Sequence, residues 1–223
     1  MRNLLFSVLT FVLLTGFTVK TDNQGQELHY PLGKPITVCW EGDSTRRTDV
    51  KAALNVWTSS SSSLEFVLSD EGGTEACQVT IRMVEPSELE YPYYLGETTP
   101  TVAQETGLFA SHVIRINRGK TWSAPGHRPC SGEYDFVTVL AHELGHALGL
   151  GHSSDPAALM RPHRHGGSVQ RELARDDQAG RDHLYPIIEN EDVVGCSAAG
   201  KNGDLGLALI ISLLFLAKVI QKR

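Results

Sequence analysis

Eleven residues, from His142 to His152, have the types and spacing of a metal site, in the pattern H-E-x-x-H-x-x-G-x-x-H. On a helix, residues four apart differ by about 40° in direction and about 6 Å along the axis, so His142 and His146 can share one ion. Gly149 favours the end of the helix, because glycine enters the left-handed conformation without steric cost. The chain can then turn back and bring His152 to the same ion.

Three neutral imidazoles with a fourth position open to water are typical of a catalytic zinc site rather than a structural one. Imidazole alone also suits copper, nickel and cobalt, but the ligand set favours zinc. Glu143 follows the first ligand and is placed to take a proton from the water. The sequence therefore predicts zinc-dependent hydrolysis with His142, His146 and His152 as ligands and Glu143 as the general base.

The motif lies on a segment, Tyr134 to Leu150, that reads as one helix. Its other face is apolar and consists of Phe136, Val137, Leu140, Leu144 and Leu148. Such a face packs in a core. This pattern weighs against the alternative, an exposed helix that is merely rich in histidine.

The residues after the motif resemble the metzincins, whose signature adds a methionine turn. Residues 158–162, Ala-Leu-Met-Arg-Pro, supply that turn, and the resemblance implies that Met160 forms an apolar floor beneath the ligands. Within the metzincins the chain is most similar to the matrixins, the matrix-metalloproteinase branch. That similarity rests on Ser153, on the form of the turn and on Asp176–Tyr185. It covers about residues 34–186.

The resemblance implies a secreted or surface-tethered endopeptidase with one catalytic Zn²⁺. It implies an edge strand, somewhere in Tyr94–Thr106, that pairs with an extended peptide. Pro162 and His163 should line the wall of the specificity pocket. His112 lies where a ligand of a structural zinc could fall, but the His-x-Asp pattern is missing, so we expect no second zinc. Binding of Ca²⁺ is left open.

Periodicity predicts the remaining elements. Strands are expected at Pro35–Trp40, Leu64–Leu68, Val79–Met83 and His112–Asn117, and a helix at Asp49–Trp57. This order favours an α/β (α+β zincin-like) fold. A twisted, mostly parallel sheet should pack on two helices, with a third helix after the Met-turn.

Both ends of the chain carry apolar runs. Met1-Arg2 and the run to Phe17 predict a signal peptide, with an uncleaved anchor as the alternative. The run Leu205–Ala217 makes a helix of about 20 Å, shorter than the hydrocarbon core of about 30 Å. The expected organisation is a signal peptide at 1–18, a short leader at 19–33, a catalytic domain at 34–188, a linker with a Gly-Cys motif at 189–204 and a hydrophobic segment with a basic end at 205–223.

The C-terminal segment has more than one interpretation. A thin transmembrane helix with a basic end fits the pattern, whereas a GPI signal normally lacks the basic residues. The Gly-Cys motif, apolar run and basic cluster also resemble bacterial sorting signals of the myxobacterial type, processed near Cys196. Each of these alternatives attaches the protein to a membrane or cell surface, or releases it from one.

Four cysteines suit an exported protein, which permits disulfides. If Cys196 belongs to a sorting signal, Cys39, Cys77 and Cys130 remain, and the sequence does not choose a pair. Cys39 could equally be a small buried hydrophobe in a strand. The leader holds no cysteine, so we expect no lock of the zinc position by a propeptide thiol.

The composition limits the class of partner. With 223 residues, 41% hydrophobic content and a net charge of −6, the chain supports one globular domain and no nucleic-acid partner. We expect a monomer that binds a protein or peptide substrate. The alternative function is a zinc-binding recognition or adhesion protein that keeps the fold without turnover.

Overall fold

The structure is a computed structural model, and it describes residues 16–58, 62–69, 77–103, 106–162 and 165–188. The expected linker, the hydrophobic C-terminal segment, most of the signal peptide and His163 lie outside these ranges. Within the described ranges, no helix has the length and apolar character needed to cross a bilayer.

A five-stranded sheet carries the fold, in the order β2-β1-β3-β5-β4. Strands β2, β1, β3 and β5 run parallel, and β4 pairs antiparallel with β5. The sheet is therefore mostly parallel, with an antiparallel strand at one edge. The strands are β1 (Ile36–Glu41), β2 (Phe66–Leu68), β3 (Val79–Val84), β4 (Gly96–Val102) and β5 (Phe109–Asn117).

Three helices accompany the sheet: α1 (Arg47–Trp57), α2 (Phe136–Ala147) and α3 (Arg175–Leu184). Helix α2 lies across β4 and β5 and packs on α1, where the buried indole of Trp57 donates a hydrogen bond to the Ala141 carbonyl, at 2.7 Å. The predicted fold class is confirmed. The motif helix is shorter at both ends than the apolar pattern suggested, and the edge strand lies inside the range expected for it.

The segment before β1 packs against the domain, although its polar composition suggested only a leader. Leu28 is 7% exposed and Tyr30 is fully buried. Val19 forms an antiparallel bridge with Leu150, and the amide of Lys20 donates to the Gly149 carbonyl at 2.7 Å. This segment therefore runs beside the loop that follows α2.

The structure chooses the disulfide that the sequence left open. Cys39 in β1 bonds to Cys77, the residue two positions before β3, and Cys130 is an exposed free thiol. The bond thus joins β1 to the residues that lead into its neighbour β3. Cys39 is a half-cystine rather than an isolated buried hydrophobe.

Candidate active site

Helix α2 places the first two histidines. Its start is fixed by Asp135, whose carboxylate accepts the amide of Thr138 at 3.1 Å and is held by Arg171. The apolar side of the helix is buried in the core. His142 and His146 therefore point away from the core, with ring centroids 4.8 Å apart.

His152 completes a cluster of three imidazoles. Its ring centroid lies 5.3 Å from that of His142 and 4.8 Å from that of His146. One nitrogen from each ring falls within 4.8 Å of the other two, and the Nε2 atoms of His146 and His152 are 3.2 Å apart. The three rings predicted from the spacing are thus brought together.

Backbone carbonyls orient two of these rings. Nδ1 of His142 lies 2.8 Å from the Leu159 carbonyl oxygen, and Nδ1 of His146 lies 2.8 Å from that of Leu150. A carbonyl can only accept, so each Nδ1 carries the proton and each Nε2 keeps its lone pair. Burial, together with the neighbouring His142, lowers the pKa of His146 far below its usual range. A neutral imidazole is the form that a metal requires.

The turn after α2 depends on Gly149. Its φ of +104° lies in the region that favours glycine. A Cβ there would also lie 2.2 Å from the Leu28 carbonyl oxygen, so the position is closed to larger residues. The turn sends the chain back toward the imidazoles of α2.

The segment Thr18–Lys20 supports His152, the third ligand, through contacts that the sequence did not indicate. The Thr18 hydroxyl donates to the carbonyl of His152 at 3.0 Å, and the Thr18 carbonyl accepts the amide of Gly151 at 2.8 Å. Together with the bond between Lys20 and Gly149, these contacts line Thr18–Lys20 along the return loop. His152, the exposed member of the three, is held from outside the motif.

Glu143 is buried between α2 and the edge strand. It is 6% exposed, and the Thr98 hydroxyl lies 2.7 Å from its Oε2. A Cβ on Gly96 would lie 3.0 Å from its Cγ. Burial raises the pKa of Glu143 to about 7, against the hydrogen bond from Thr98 and the charge of Lys20, which both lower it. A carboxyl with this pKa is suited to proton transfer near neutral pH.

Met160 lies directly under the metal-binding helix. A Cβ on Gly145 would come within 2.3 Å of its sulfur, so this glycine lets the methionine approach between the two helical ligands. The turn is held by Asp177 of α3, whose carboxylate accepts the amides of Leu159 at 2.7 Å and Met160 at 3.0 Å. Asp177 thereby fixes the same Leu159 whose carbonyl orients His142.

The predicted pocket residues are less informative. Pro162 is exposed just after the turn, and His163 lies outside the described residues, so their role in a pocket wall stays a prediction. Thr98 carried no signal in the sequence, since a lone threonine in a polar stretch is unremarkable, and Thr18 was expected only as the last residue of the signal peptide. Asp177 lay within the segment that resembled the matrixin closing helix, but its contact with the turn was not foreseen.

The donor set fits zinc. Three imidazoles, with one nitrogen of each ring within 4.8 Å of the other two, match the ligands of catalytic zinc sites. A buried carboxyl that follows the first ligand matches the usual proton acceptor.

The sequence model of the matrixin family matches residues 24–186. The chain belongs to the matrixin family. Among its matrixin relatives, it is 41% identical over 78 residues to metalloendoproteinase 5-MMP of Arabidopsis thaliana, which spans 35% of this chain and 22% of the relative. It is 38% identical over 100 residues to matrix metalloproteinase-9 of Canis lupus familiaris, covering 43% of this chain and 14% of that protein.

Human matrilysin is also similar, with 48% identity over 52 residues, 23% of this chain and 20% of matrilysin. The chain therefore spans about a fifth of the length of these relatives, or less. The matrixin match covers the part of the chain that holds the three histidines, Glu143 and Met160.

Proposed function

We propose that this matrixin is an exported zinc-dependent endopeptidase that hydrolyses peptide bonds in proteins or peptides. The observation that carries the proposal is the convergence of the three imidazoles beside a buried Glu143, which itself lies against an open edge strand. Ligands, general base and a surface for an extended peptide are thus adjacent.

In this mechanism the chain's own residues bind, orient and move a proton. When bound, zinc supplies a Lewis acid that lowers the pKa of water and polarises a carbonyl. Glu143 Oε1 or Oε2 accepts the proton of the attacking water and later delivers it to the leaving amine. The Thr98 hydroxyl holds that carboxyl in place, and the Leu159 and Leu150 carbonyls keep two ligand rings fixed.

Incubation of the zinc-loaded protein with a mixed peptide library, with and without chelator, tests the proposal. We expect cleavage that chelator abolishes. Glu143→Gln should lower kcat by roughly 10²- to 10⁴-fold while zinc stays bound, whereas His142→Ala should lose the metal as well. Thr101→Val, on the exposed part of β4, is the matched control. Zinc binding without any cleavage would instead indicate the non-catalytic recognition protein.

We further propose that the protein acts outside the cytoplasm as a monomer, attached or released through residues 189–223. The disulfide between Cys39 and Cys77 supports an oxidising compartment. Cell fractionation with intact-mass measurement tests this. A mass that ends near Cys196 supports a processed sorting signal, and an intact tail in the membrane fraction supports an anchor. Finding the protein only in the cytoplasm, with reduced thiols, would contradict export.

A further inference from the structure

The open edge of the sheet presents an uneven set of backbone groups. β4 is the outermost strand, and the amide of Asn117 in β5 donates to the Leu95 carbonyl just before β4. In an antiparallel pair, hydrogen-bonded and non-hydrogen-bonded residue pairs alternate. Since Gly96 is registered with Ile116, its own amide and carbonyl point away from β5.

The same alternation continues along the strand. Thr98 is registered with Ile114 and Pro100 with His112, so their backbone groups also face outward. The amide of His112 confirms this, because it donates to the Gln78 carbonyl on the opposite side, at 2.7 Å. Gly96, Thr98 and Pro100 are therefore the residues that a peptide beside β4 would meet.

Pro100 breaks this row of donors. Gly96 and Thr98 each offer an N–H and a carbonyl, whereas a proline nitrogen has no hydrogen to donate. A peptide that runs antiparallel to β4, the more stable arrangement per residue, can exchange two hydrogen bonds with each of the first two residues. Opposite Pro100 it can make only one, and its own carbonyl is left without a donor.

The position of Glu143 relates this break to the reaction. Glu143 lies against Gly96 and Thr98, so the bond to be cut lies beside this pair. In an antiparallel peptide, the residues opposite Pro100 come before the cut. Residue pairs with two backbone hydrogen bonds can therefore form only in the part of the peptide near and after the scissile bond.

We propose that Pro100 is a specificity-determining residue that ends backbone recognition of the substrate on the amino-terminal side of the scissile bond. The proposal rests on the endopeptidase function above. It means that the enzyme accepts substrates with few residues before the cut and selects them by residues at and beyond it. The simpler interpretation is that proline on an edge strand only prevents pairing with other chains.

The test uses the zinc-loaded protein and a series of fluorogenic peptides that share one cleaved sequence from the library and differ in length before the cut. For the wild type, we expect kcat/KM to change less than about twofold once residues opposite Pro100 are added, because the one hydrogen bond gained there is offset by the peptide carbonyl that is left without a donor. Pro100→Ala restores the amide, so the longer peptides alone should gain roughly two- to tenfold. Pro100→Thr provides a second variant in case the alanine form does not fold.

Thr101→Ala is the matched control. Thr101 is registered with Ser111, so its amide and carbonyl face β5 rather than the peptide, and its side chain is exposed. It should behave as the wild type at every length. Binding can be measured without cleavage in Glu143→Gln, with and without Pro100→Ala. Fluorescence anisotropy then gives the dissociation constants of the same peptides.

Several results overturn the proposal. The proposal fails if Pro100→Ala raises kcat/KM equally for all peptide lengths, or does not raise it at all. It also fails if kcat/KM of the wild type rises with peptide length as steeply as that of Pro100→Ala. If Pro100→Ala self-associates and its kcat/KM does not rise with peptide length, Pro100 serves only to prevent pairing of the edge strand with other chains. If no library sequence is cleaved by the wild type but peptides of increasing length bind the Glu143→Gln forms as expected, the endopeptidase function alone is refuted. If the peptides neither bind nor are cleaved, both proposals are refuted.

Discussion

Removal of the Thr98 hydroxyl tests whether the edge strand tunes the general base. The hydroxyl lies 2.7 Å from Oε2 of Glu143 and 3.0 Å from its backbone carbonyl, so one proton serves two acceptors. Thr98→Val keeps the branched shape and deletes that donor. Because a hydrogen bond to a carboxylate favours the charged form, its loss raises the pKa of Glu143.

The magnitude follows from the burial of the carboxyl. Glu143 is 6% exposed, so water replaces the lost donor poorly. A hydrogen bond to a charged group contributes about 1.5–3 kcal/mol, and sharing of the proton argues for the lower end. About 1.4 kcal/mol corresponds to one pKa unit and to a factor of ten in rate. We therefore expect the acid limb of kcat/KM to move up by about one pH unit.

The assay is the pH dependence of kcat/KM for one peptide between pH 5 and 9, together with zinc content. At neutral pH, Thr98→Val should be slower by up to about tenfold, with recovery toward wild-type rates at alkaline pH and unchanged zinc. Thr101→Val should leave the profile unaltered. A loss of equal size at every pH, or no loss, would show that Thr98 does not act on the proton affinity of Glu143.

Three stability measurements test other parts of the site. Asp177→Ala leaves the buried amides of Leu159 and Met160 and the part-buried amide of Ala174 without their acceptor. The free energy of unfolding in urea should therefore fall by about 3 kcal/mol, and a fall below about 1 kcal/mol would contradict the anchoring role. Replacement of both Cys39 and Cys77 by serine opens a link of 38 residues. By the chain-entropy relation this should cost about 4 kcal/mol relative to the oxidised wild type, and the reduced wild type should show the same loss. Burial lowers the pKa of His112 to about 3, so the unfolded chain binds a proton that the folded chain does not, and stability is lost as pH falls below about 6.5. Between pH 7 and 5 the wild type should lose about 2 kcal/mol more than His112→Gln, and equal losses would refute this.

Local pattern was sufficient for the parts of the molecule that depend on neighbours in sequence. The spacing of His142 and His146 follows from helix geometry, and the apolar face of α2 follows from the same period. β1, β3 and β5 alternate clearly enough to be recognised. The edge strand could only be bracketed, because Gly96–Val102 has almost no apolar alternation and is defined by its pairing with β5.

Contacts between distant residues were beyond that pattern. Three cysteines gave no preference for a pair, and only the adjacency of β1 and β3 brings Cys39 to Cys77. Thr98 becomes part of the site because β4 passes over α2, 45 residues away in sequence. No propensity or spacing rule connects such positions, since the relation exists only once the sheet order is formed.

The third ligand shows where a motif stops determining its own geometry. His142 and His146 are fixed relative to each other by one helical turn, and any sequence that keeps α2 keeps them. His152 lies beyond Gly149, whose φ of +104° only permits the return of the chain and does not hold it there. In the full chain the restraint comes from Thr18, 134 residues earlier, through its hydroxyl bond to the His152 carbonyl. A cut after Thr18, as expected for the signal peptide, would remove this bond and leave the one from the Lys20 amide to the Gly149 carbonyl. Spacing therefore specifies which residue becomes the third ligand, while contacts from the segment before β1 determine how well it is positioned.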